Sequence, residues 1–244
     1  MKTRPRMRTL SGFAFCFLLL GNMAFALNIV VIVGPPGSGK GTQTCMLRDA
    51  FNWKLISPSG ILRQEKISGT KLGEVREKYR DEILVKDFIK LGVAVRNLSG
   101  HSQIDNSGII FDSWPKSPGA IELAAVAIFK NNNVLVIELV INDDSLLQKR
   151  VMERKVCTSI NCGRSYGEKK EKVLNLCDNC GQTLIKRTRD NLVDFPNRIE
   201  NYKINSQQLL KTYAKSGIKV HQIDGTKSPQ EVHSEIQKIM NETF

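Results

Sequence analysis

Aromatic residues and histidines are scarce in this sequence of 244 residues. Phe, Trp and Tyr make up 7% of the chain, and the three histidines, His101, His221 and His233, are scattered so that nothing marks them as ligands. The sequence contains no internal repeat and no low-complexity tract, which argues against a repeat protein. Because few aromatic residues lie between the basic ones, the chain lacks the stacking platforms that single-strand nucleic-acid binders use.

Acidic residues are absent from residues 1–26, which have the three-part layout of a secretory signal peptide. Residues 2–8 are basic, residues 10–20 are mostly apolar, and Ala24-Phe25-Ala26 fits an A-x-A cleavage pattern. The layout predicts cleavage after Ala26 and an exported protein, secreted or periplasmic. The apolar run is shorter than a typical membrane span, so the mature protein is not expected to be membrane-bound. Two alternatives are an uncleaved N-terminal anchor and a cytoplasmic protein whose translation starts at Met23.

Basic residues outnumber acidic ones, and the net charge of the chain is +12. Four of these positive charges belong to the leader, so residues 27–244 carry +8. Such a balance favours anionic partners, and nucleotide phosphates satisfy it as well as nucleic acid does. The length is sufficient for one α/β domain with insertions.

The chain is organised around a glycine-rich segment that follows a β-branched run at residues 28–33. This segment, Gly34-Pro35-Pro36-Gly37-Ser38-Gly39-Lys40-Gly41-Thr42-Gln43, fits the phosphate-loop pattern G-x-x-x-x-G-K-[ST]. Its place between a predicted strand and a helix over residues 42–51 indicates a nucleotide-phosphate site, because N–H groups of the loop and helix point at the phosphates. Lys40 is expected to reach the β- and γ-phosphates, and the Thr42 hydroxyl to bind Mg²⁺. The predicted ATP-binding residues of the loop are Gly37, Ser38, Gly39, Lys40, Gly41 and Thr42.

The full loop string resembles that of the adenylate kinase family of nucleoside monophosphate kinases. Further motifs match in family order from about Leu27 to Met240. Together with the apolar strand patterns and helical periodicity, the resemblance implies an α/β fold, a P-loop NTP hydrolase-type parallel sheet with helices on both faces. The predicted strands cover residues 53–56, 108–112 and 134–141, and residues 220–227 are predicted to form a strand and turn. Predicted helices cover residues within 68–98 and 232–240.

The family resemblance also implies two inserts in an adenylate kinase-like domain over residues 27–244. A helical insert that binds the nucleoside monophosphate is assigned to residues 57–86, and a small zinc-ribbon-like lid to residues 154–190. The core then consists of residues 27–56, 87–153 and 191–244. The order of the strands is implied by the family and does not follow from the spacing.

The acceptor insert begins with Ile56-Ser57-Pro58-Ser59-Gly60-Ile61-Leu62-Arg63, which looks like the family segment I-S-T-G-D-M-L-R. The resemblance places Arg63 on the acceptor phosphate, a role that suits the planar guanidinium fork. Pro58 replaces a threonine that contacts the acceptor and offers neither an N–H nor a hydroxyl. Ile83 and Val85 lie in a segment resembling the loop that holds the acceptor base, with plain core packing as the alternative.

The predicted strand at residues 108–112 ends in Asp112, which fits a Walker B-type aspartate near Mg²⁺. The residues that follow look like the family's D-G-F-P-R-T, with Ser113 in place of glycine. Lys116 stands where the family has an arginine on the acceptor phosphate, so the charge is kept and the fork is lost. Ala120 stands where the family places a glutamine that reads adenine, and an alanine cannot hydrogen-bond a base edge.

Arg150 and Arg154, four residues apart on one face of a predicted helix, match the family pair that stacks on the donor adenine and touches its phosphates. Further on, Leu184-Ile185-Lys186-Arg187-Thr188-Arg189-Asp190-Asn191 resembles L-x-x-R-x-D-D-N, which closes the lid. Arg187 aligns with a catalytic arginine, and Arg198 aligns with the last arginine of the set. Arg189 replaces the first aspartate, which reverses the charge; the expected consequences are altered lid-closure contacts and another cation near the phosphates.

Two further donor contacts are implied by weaker matches. Tyr166 follows Cys162-Gly163-Arg164-Ser165 in the predicted lid and matches a tyrosine that contacts the donor. Lys227 ends a segment resembling V-D-G-T-K, whose backbone receives the donor base.

Four cysteines in two short pairs, Cys157-x4-Cys162 and Cys177-x2-Cys180, predict a tetrahedral structural zinc site. The second pair resembles the zinc-bearing lid of many adenylate kinases, whereas the first has four intervening residues in place of two. An oxidising export route would allow two disulfides instead, and free thiols are a third possibility. Cys45 is expected to be a buried core thiol.

The resulting hypothesis is a monomeric kinase that transfers the γ-phosphoryl group of ATP reversibly to AMP with Mg²⁺. Alternatives are a kinase for another nucleoside monophosphate, a catalytically impaired nucleotide-binding homologue, and a zinc-ribbon nucleic-acid binder; no nucleic-acid partner is expected. The predicted catalytic cations are Lys40, Lys116, Arg154, Arg187 and Arg198. The predicted AMP-binding residues are Pro58, Arg63, Ile83, Val85, Ser113, Lys116, Ala120, Arg187 and Arg198.

Overall fold

The computed structural model describes residues 26–79, 82–99, 108–159, 162–167 and 171–244. The predicted leader therefore lies outside the described residues, except for Ala26. The strands within them are β1 (Asn28–Val33), β2 (Lys54–Ile56), β3 (Ile109–Asp112), β4 (Asn133–Val140), β5 (Lys155–Cys157), β6 (Ser165–Tyr166), β7 (Leu184–Ile185) and β8 (Val220–Asp224). The α-helices are α1 (Lys40–Phe51), α2 (Pro58–Ile67), α3 (Lys71–Lys78), α4 (Ile83–Ser99), α5 (Pro118–Ala124), α6 (Asp144–Glu153), α7 (Asp194–Lys215) and α8 (Pro229–Thr243).

The core is a five-stranded sheet in the order β2-β3-β1-β4-β8, and its neighbouring strands are parallel. Strand β1 lies in the centre, where Ile29 pairs with Ile109 on one side and Val134 on the other. Strands β1 and β3 therefore end at the same edge, since Ile32 is in register with Asp112. Ligands of open α/β sheets bind at this carboxyl edge, and the glycine-rich loop leaves β1 there.

Helices cover both faces of this sheet, as predicted. Alternate side chains of β1 point in opposite directions because the period of a strand is two residues. Val31 packs with residues of α4, α5 and α7, whereas Ile32 packs with residues of α1 and α8. Both side chains are fully buried, which explains why β1 reads as a continuous apolar run.

Element ends differ from the predictions where a cap decides them. Helix α1 begins at Lys40, two residues earlier than predicted, because Gly39 caps it in the left-handed conformation at φ 94°. Helix α8 begins at Pro229 because Ser228 and Glu231 form a capping box, which apolar periodicity does not report. Among the described residues, no helix combines the length and apolarity needed to cross a bilayer.

Two smaller units interrupt the core. Helices α2 and α3 stand between β2 and β3 and contact each other closely, within the predicted acceptor insert. The three strands β5, β6 and β7 form an antiparallel sheet between α6 and α7, within the predicted lid. The boundaries assigned to these inserts stay predictions.

Candidate active site

The loop between β1 and α1 has a conformation that only glycine allows at its critical positions. Gly37 has φ 89°, and a Cβ added to it would lie 2.7 Å from the carbonyl oxygen of Leu147. Gly39 has φ 94°, which favours glycine over any residue with a side chain. Gly37 is therefore required where the loop packs against α6, and phosphate binding by this loop stays a prediction.

Lys40, at the start of α1, folds back over this loop. Its Nζ donates to the carbonyl oxygens of Gly34 at 2.8 Å and Pro35 at 2.6 Å, and to Ser38 Oγ at 3.3 Å. Loss of hydration lowers the pKa of Lys40 to about 7; Asp112 opposes the change. The neighbouring cations Lys116, Arg154 and Arg198 lower this pKa further. An anion bound here would relieve that repulsion.

Asp112 is held at the end of β3 by two hydroxyl groups. Ser57 Oγ donates to Oδ2 at 3.2 Å, and Ser113 Oγ donates to Oδ1 at 2.9 Å. Ser113 occupies a left-handed conformation with φ 56°, a position that favours glycine. Thr42 lies in the first turn of α1. Carboxylate and hydroxyl oxygens are donors that suit Mg²⁺, so Asp112 and Thr42 fit the predicted metal.

A fully buried carboxylate, Asp190, organises the arginines of the site. Arg154 Nε donates to Asp190 Oδ2 at 2.9 Å, and Arg154 Nη2 donates to Oδ1 at 2.7 Å and Oδ2 at 2.8 Å. Arg198 Nη1 donates to Asp190 Oδ1 at 3.0 Å and to the Arg189 carbonyl oxygen at 2.7 Å. One carboxylate therefore holds two of the predicted catalytic cations in fixed orientations.

Sequence reasoning missed Asp190 and Ser57 as site residues. Asp190 could have been recognised from the sequence, because it is an acid placed among arginines in the motif that closes the lid. Ser57 carried little, because its bond to Asp112 joins residues 55 positions apart.

Arg187 and Arg63 converge on the same region, where the charges of Asp112 and Asp190 act on both. Burial, followed by the charges of Arg154 and Arg63, lowers the pKa of Arg187 to about 10. Burial and the charge of Arg76 likewise lower the pKa of Arg63. Within the part of the chain described, Arg187 Nε is buried and has no hydrogen-bond partner. Crowded cations and an unpaired buried donor are features of an anion-binding site.

On the donor side, Arg150 lies against the loop that follows β8. Its Nη1 donates to the Gly225 carbonyl oxygen at 2.8 Å. Gly225 lies close to the phosphate loop, since a Cβ added to it would be 3.1 Å from the Ser38 carbonyl oxygen. Lys227, on the same loop, is exposed and forms an ion pair with Glu235. The structure therefore brings Arg150 to the edge of the loop but engages the Lys227 ammonium elsewhere.

Tyr166 lies inside the lid. Its side chain is buried, its hydroxyl lies 3.5 Å from Cys177 Sγ, and it accepts a hydrogen bond from the Asp178 N–H at 2.9 Å. The structure thus brings this hydroxyl to the cysteines, and its contact with ATP stays a prediction.

The predicted acceptor residues of the first half of the chain lie in α2, α4 and α5 and in the segment between β3 and α5. Pro58 is buried in the first turn of α2, and Ala120 is fully buried in α5. Val85 is half-buried near the start of α4, while the Ile83 side chain lies outside the described residues. Lys116 is exposed, but its charge is felt at Lys40.

The four lid cysteines form a cluster in which the ligand atoms all lie within 4.8 Å of one another. They are free thiols, with Cys157 Sγ 3.4 Å from Cys180 Sγ and Cys162 Sγ 3.5 Å from Cys177 Sγ. Four sulfur ligands around zinc at about 2.3 Å would lie at about this separation from each other. Burial opposes ionisation of Cys177, but hydrogen bonds, led by that of Tyr166, lower its pKa to about 6. This donor set fits a structural zinc ion.

The first cysteine loop of the lid is tied to α1, a contact that the sequence did not reveal. Arg48 Nη1 donates to the Cys162 carbonyl oxygen at 2.8 Å, and Cys45 Sγ lies 3.4 Å from the same oxygen. Arg164 forms an ion pair with Asp49, the residue that follows Arg48 in α1. The lid therefore lies against the helix that follows the phosphate loop. Cys45 is a buried thiol, as predicted.

The parallel sheet, the glycine-rich loop at its carboxyl edge and the surrounding cations define the class of P-loop nucleotide-binding proteins. Comparison with known proteins narrows this class. The family model described as adenylate kinase matches residues 32–218.

Curated relatives named adenylate kinase match most of the chain. One from Methanothrix thermoacetophila is 34% identical over 216 residues, which cover 87% of this chain and 98% of the relative. One from Caldanaerobacter subterraneus subsp. tengcongensis is 34% identical, and the match covers 86% of this chain and 95% of the relative. One from Methanosarcina barkeri is 32% identical, and the match covers 86% of this chain and 97% of the relative. The chain belongs to the adenylate kinase family.

Proposed function

We propose that this protein transfers the γ-phosphoryl group of ATP reversibly to AMP, so that ATP and AMP give two ADP. The observation that carries the proposal is the convergence of Lys40, Arg154, Arg187 and Arg198 beside Asp112 at the carboxyl edge of the sheet. Membership of the adenylate kinase family and the names of the relatives support the same reaction.

The chemistry needs no covalent protein nucleophile, because an acceptor phosphate oxygen attacks the γ-phosphorus directly. The protein supplies alignment and charge. In this proposal Lys40 exchanges its loop carbonyls for the β- and γ-phosphate oxygens, and Arg154 and Arg198 face the transferring group. Arg63, Lys116 and Arg187 hold the acceptor phosphate in line.

Mg²⁺ would be held by Asp112 and Thr42, and when bound it neutralises phosphate charge. Ser57 and Ser113 orient the Asp112 carboxylate for that role. The lid sheet, tied to α1 through Arg48, keeps water from the donor phosphates.

We further propose that the four lid cysteines hold one structural zinc ion. Four protein thiolates leave no open position, so the metal stiffens the lid and takes no part in the chemistry. Purified protein should contain about one zinc per chain, and Cys177→Ser should lose it. Cys45→Ser is the matched control, because Cys45 lies outside the cluster and should leave zinc content unchanged. Equal zinc content in both variants would refute the assignment.

The acceptor base is tested by a coupled ADP-release assay on protein starting at Leu27, with ATP–Mg²⁺ and AMP, CMP, GMP or UMP. Turnover with AMP at ordinary kinase rates supports the proposal. Turnover with another base alone would change the acceptor, a result favoured by Ala120. Binding of ATP without turnover of any monophosphate would show that Pro58, Lys116, Ala120 and Arg189 mark an impaired homologue.

Residues 1–26 are proposed to direct export of the protein, on the strength of the basic, apolar and A-x-A segments described above. Fusion of residues 1–30 to a reporter that is active only after export tests this. A reporter signal equal to that of a fusion starting at Met23 would contradict export.

A further inference from the structure

Arg189 is fixed within the arginine cluster by its backbone. It lies in a turn in which the Asp190 N–H donates to the Arg187 carbonyl oxygen at 2.9 Å. The Arg189 carbonyl oxygen also accepts the bond from Arg198 Nη1 at 2.7 Å. The neighbouring side chains, Arg187 and Asp190, both belong to the site. Arg189 is therefore held in the wall of the site, although its own side chain is exposed.

The guanidinium of Arg189 has no acidic partner in the described segments of the chain. Asp190 is fully occupied by Arg154 and Arg198. Because no carboxylate of the described residues holds it, the exposed Arg189 guanidinium is available to an anion that enters the cationic cluster.

The electrostatics of Lys116 connect Arg189 with a predicted acceptor residue. Although the residue as a whole is exposed, loss of hydration around its ammonium group lowers the pKa of Lys116, and Asp112 opposes that change. Three cations lower it further: Arg198, Lys86 and Arg189. Arg189 and Lys116 thus act on the same small region.

The two residues differ in what they offer a phosphate. The Lys116 ammonium is a point charge, whereas the Arg189 guanidinium presents parallel N–H groups that match two phosphate oxygens. A site in which Lys116 and Arg189 both act would contain the charge and the fork.

We propose that Arg189 binds the acceptor phosphate and supplies the guanidinium fork that Lys116 does not provide. The inference deepens the proposed kinase function and rests on it. It also accounts for two departures from the family pattern together, since the arginine expected at position 116 and the aspartate expected at position 189 are both replaced.

The test compares Arg189→Ala with Lys186→Ala, which removes an exposed lysine on the same segment outside the site. Arg189→Ala should raise the KM for AMP about 10- to 100-fold, the loss expected for one charge-assisted phosphate contact. The KM for ATP should change less than about threefold, as should kcat at saturating AMP. Arg189→Lys should give an intermediate KM because the charge remains and the fork is lost. Lys186→Ala should behave like wild type.

A second substitution separates phosphate binding from a structural effect. In the Arg189→Ala background, Lys116→Arg should restore most of the lost AMP affinity, because it returns a fork to the same region. Lys116→Arg in the wild-type background should give a smaller gain. Melting temperatures of all variants show which of them fold.

Three outcomes would overturn the inference. The first is an unchanged KM for AMP in a folded Arg189→Ala variant. The second is an equal rise in the KM for ATP, which would place Arg189 in lid closure. The third is failure of Lys116→Arg to restore affinity. Calorimetric binding of AMP alone keeps this test separate from the proposed reaction: affinity lost in Arg189→Ala supports the inference even if wild-type protein shows no turnover.

Discussion

Replacing Asp190 by asparagine tests whether one buried carboxylate positions the catalytic arginines. The substitution keeps the shape of the side chain but removes its charge and turns one acceptor oxygen into a donor. Arg154 loses part of its bidentate pairing with residue 190. Arg198 loses its 3.0 Å hydrogen bond to Oδ1, or keeps only a bond to the neutral amide oxygen. An N–H group facing a guanidinium is repelled, so both arginines are expected to leave their present orientations.

The magnitude follows from burial. Removing one partner from a buried ion pair costs about 3–5 kcal/mol. The Asp190 side chain is fully buried, but Arg154 and Arg198 retain 17% and 21% of their side-chain exposure, so water can hydrate them after the change. We therefore expect a loss near the lower bound, about 3 kcal/mol, which corresponds to a fall in Tm of about 6–12 °C for a chain of this size.

The catalytic loss should exceed what stability alone explains. Misplacing a charge-stabilising group costs about 10²–10³ in kcat, and this loss should persist at temperatures where the variant is fully folded. Calorimetry gives Tm, and the coupled ADP-release assay gives kcat. Asp194→Asn is the matched control, because Asp194 lies in the first turn of α7 and bonds to Asn191 outside the cluster. It should lose some stability and keep its kcat. An Asp190→Asn variant with near wild-type kcat would refute the positioning role.

Three further predictions concern single groups. Because the pKa of Lys40 is lowered to about 7, ATP binding at pH 8 should take up nearly one proton, and affinity should fall about tenfold per pH unit above 7. Heats of binding that do not depend on the ionisation enthalpy of the buffer would contradict this, and Lys40→Met should abolish the uptake. Lys40→Met should also lower kcat by about 10²-fold or more in the coupled assay, and a near wild-type rate would remove Lys40 from the catalytic set. Ser113→Gly should melt higher than Ser113→Ala, because glycine relieves about 1 kcal/mol of strain at φ 56°. Both variants lose the Ser113 hydroxyl that donates to Asp112, so both should need more Mg²⁺ for half-maximal rate. A changed Mg²⁺ requirement in only one variant would show that this hydrogen bond does not support Mg²⁺ binding.

The local part of the molecule was predictable from sequence because short-range chemistry determines it. A β-branched run followed by glycines and Lys40 specifies a strand, a phosphate loop and a helix without help from the rest of the chain. The spacing of the four cysteines similarly predicted that they form a cluster. Helix ends were less accurate where a cap such as Ser228 adds a turn beyond the apolar pattern.

Only the tertiary structure decided which distant groups meet. The strand order places Asp112 beside the phosphate loop, and no spacing rule contains that order. Ser57 reaches Asp112 across 55 positions, and the Cys162 carbonyl reaches Arg48 across 114. Asp190 acquires its role because the fold brings two arginines to it: Arg154, which precedes it in the sequence, and Arg198, which follows it. Local conformation was predictable because it depends on neighbouring residues. Burial and charge pairing were not, because they depend on chain segments that only folding brings together.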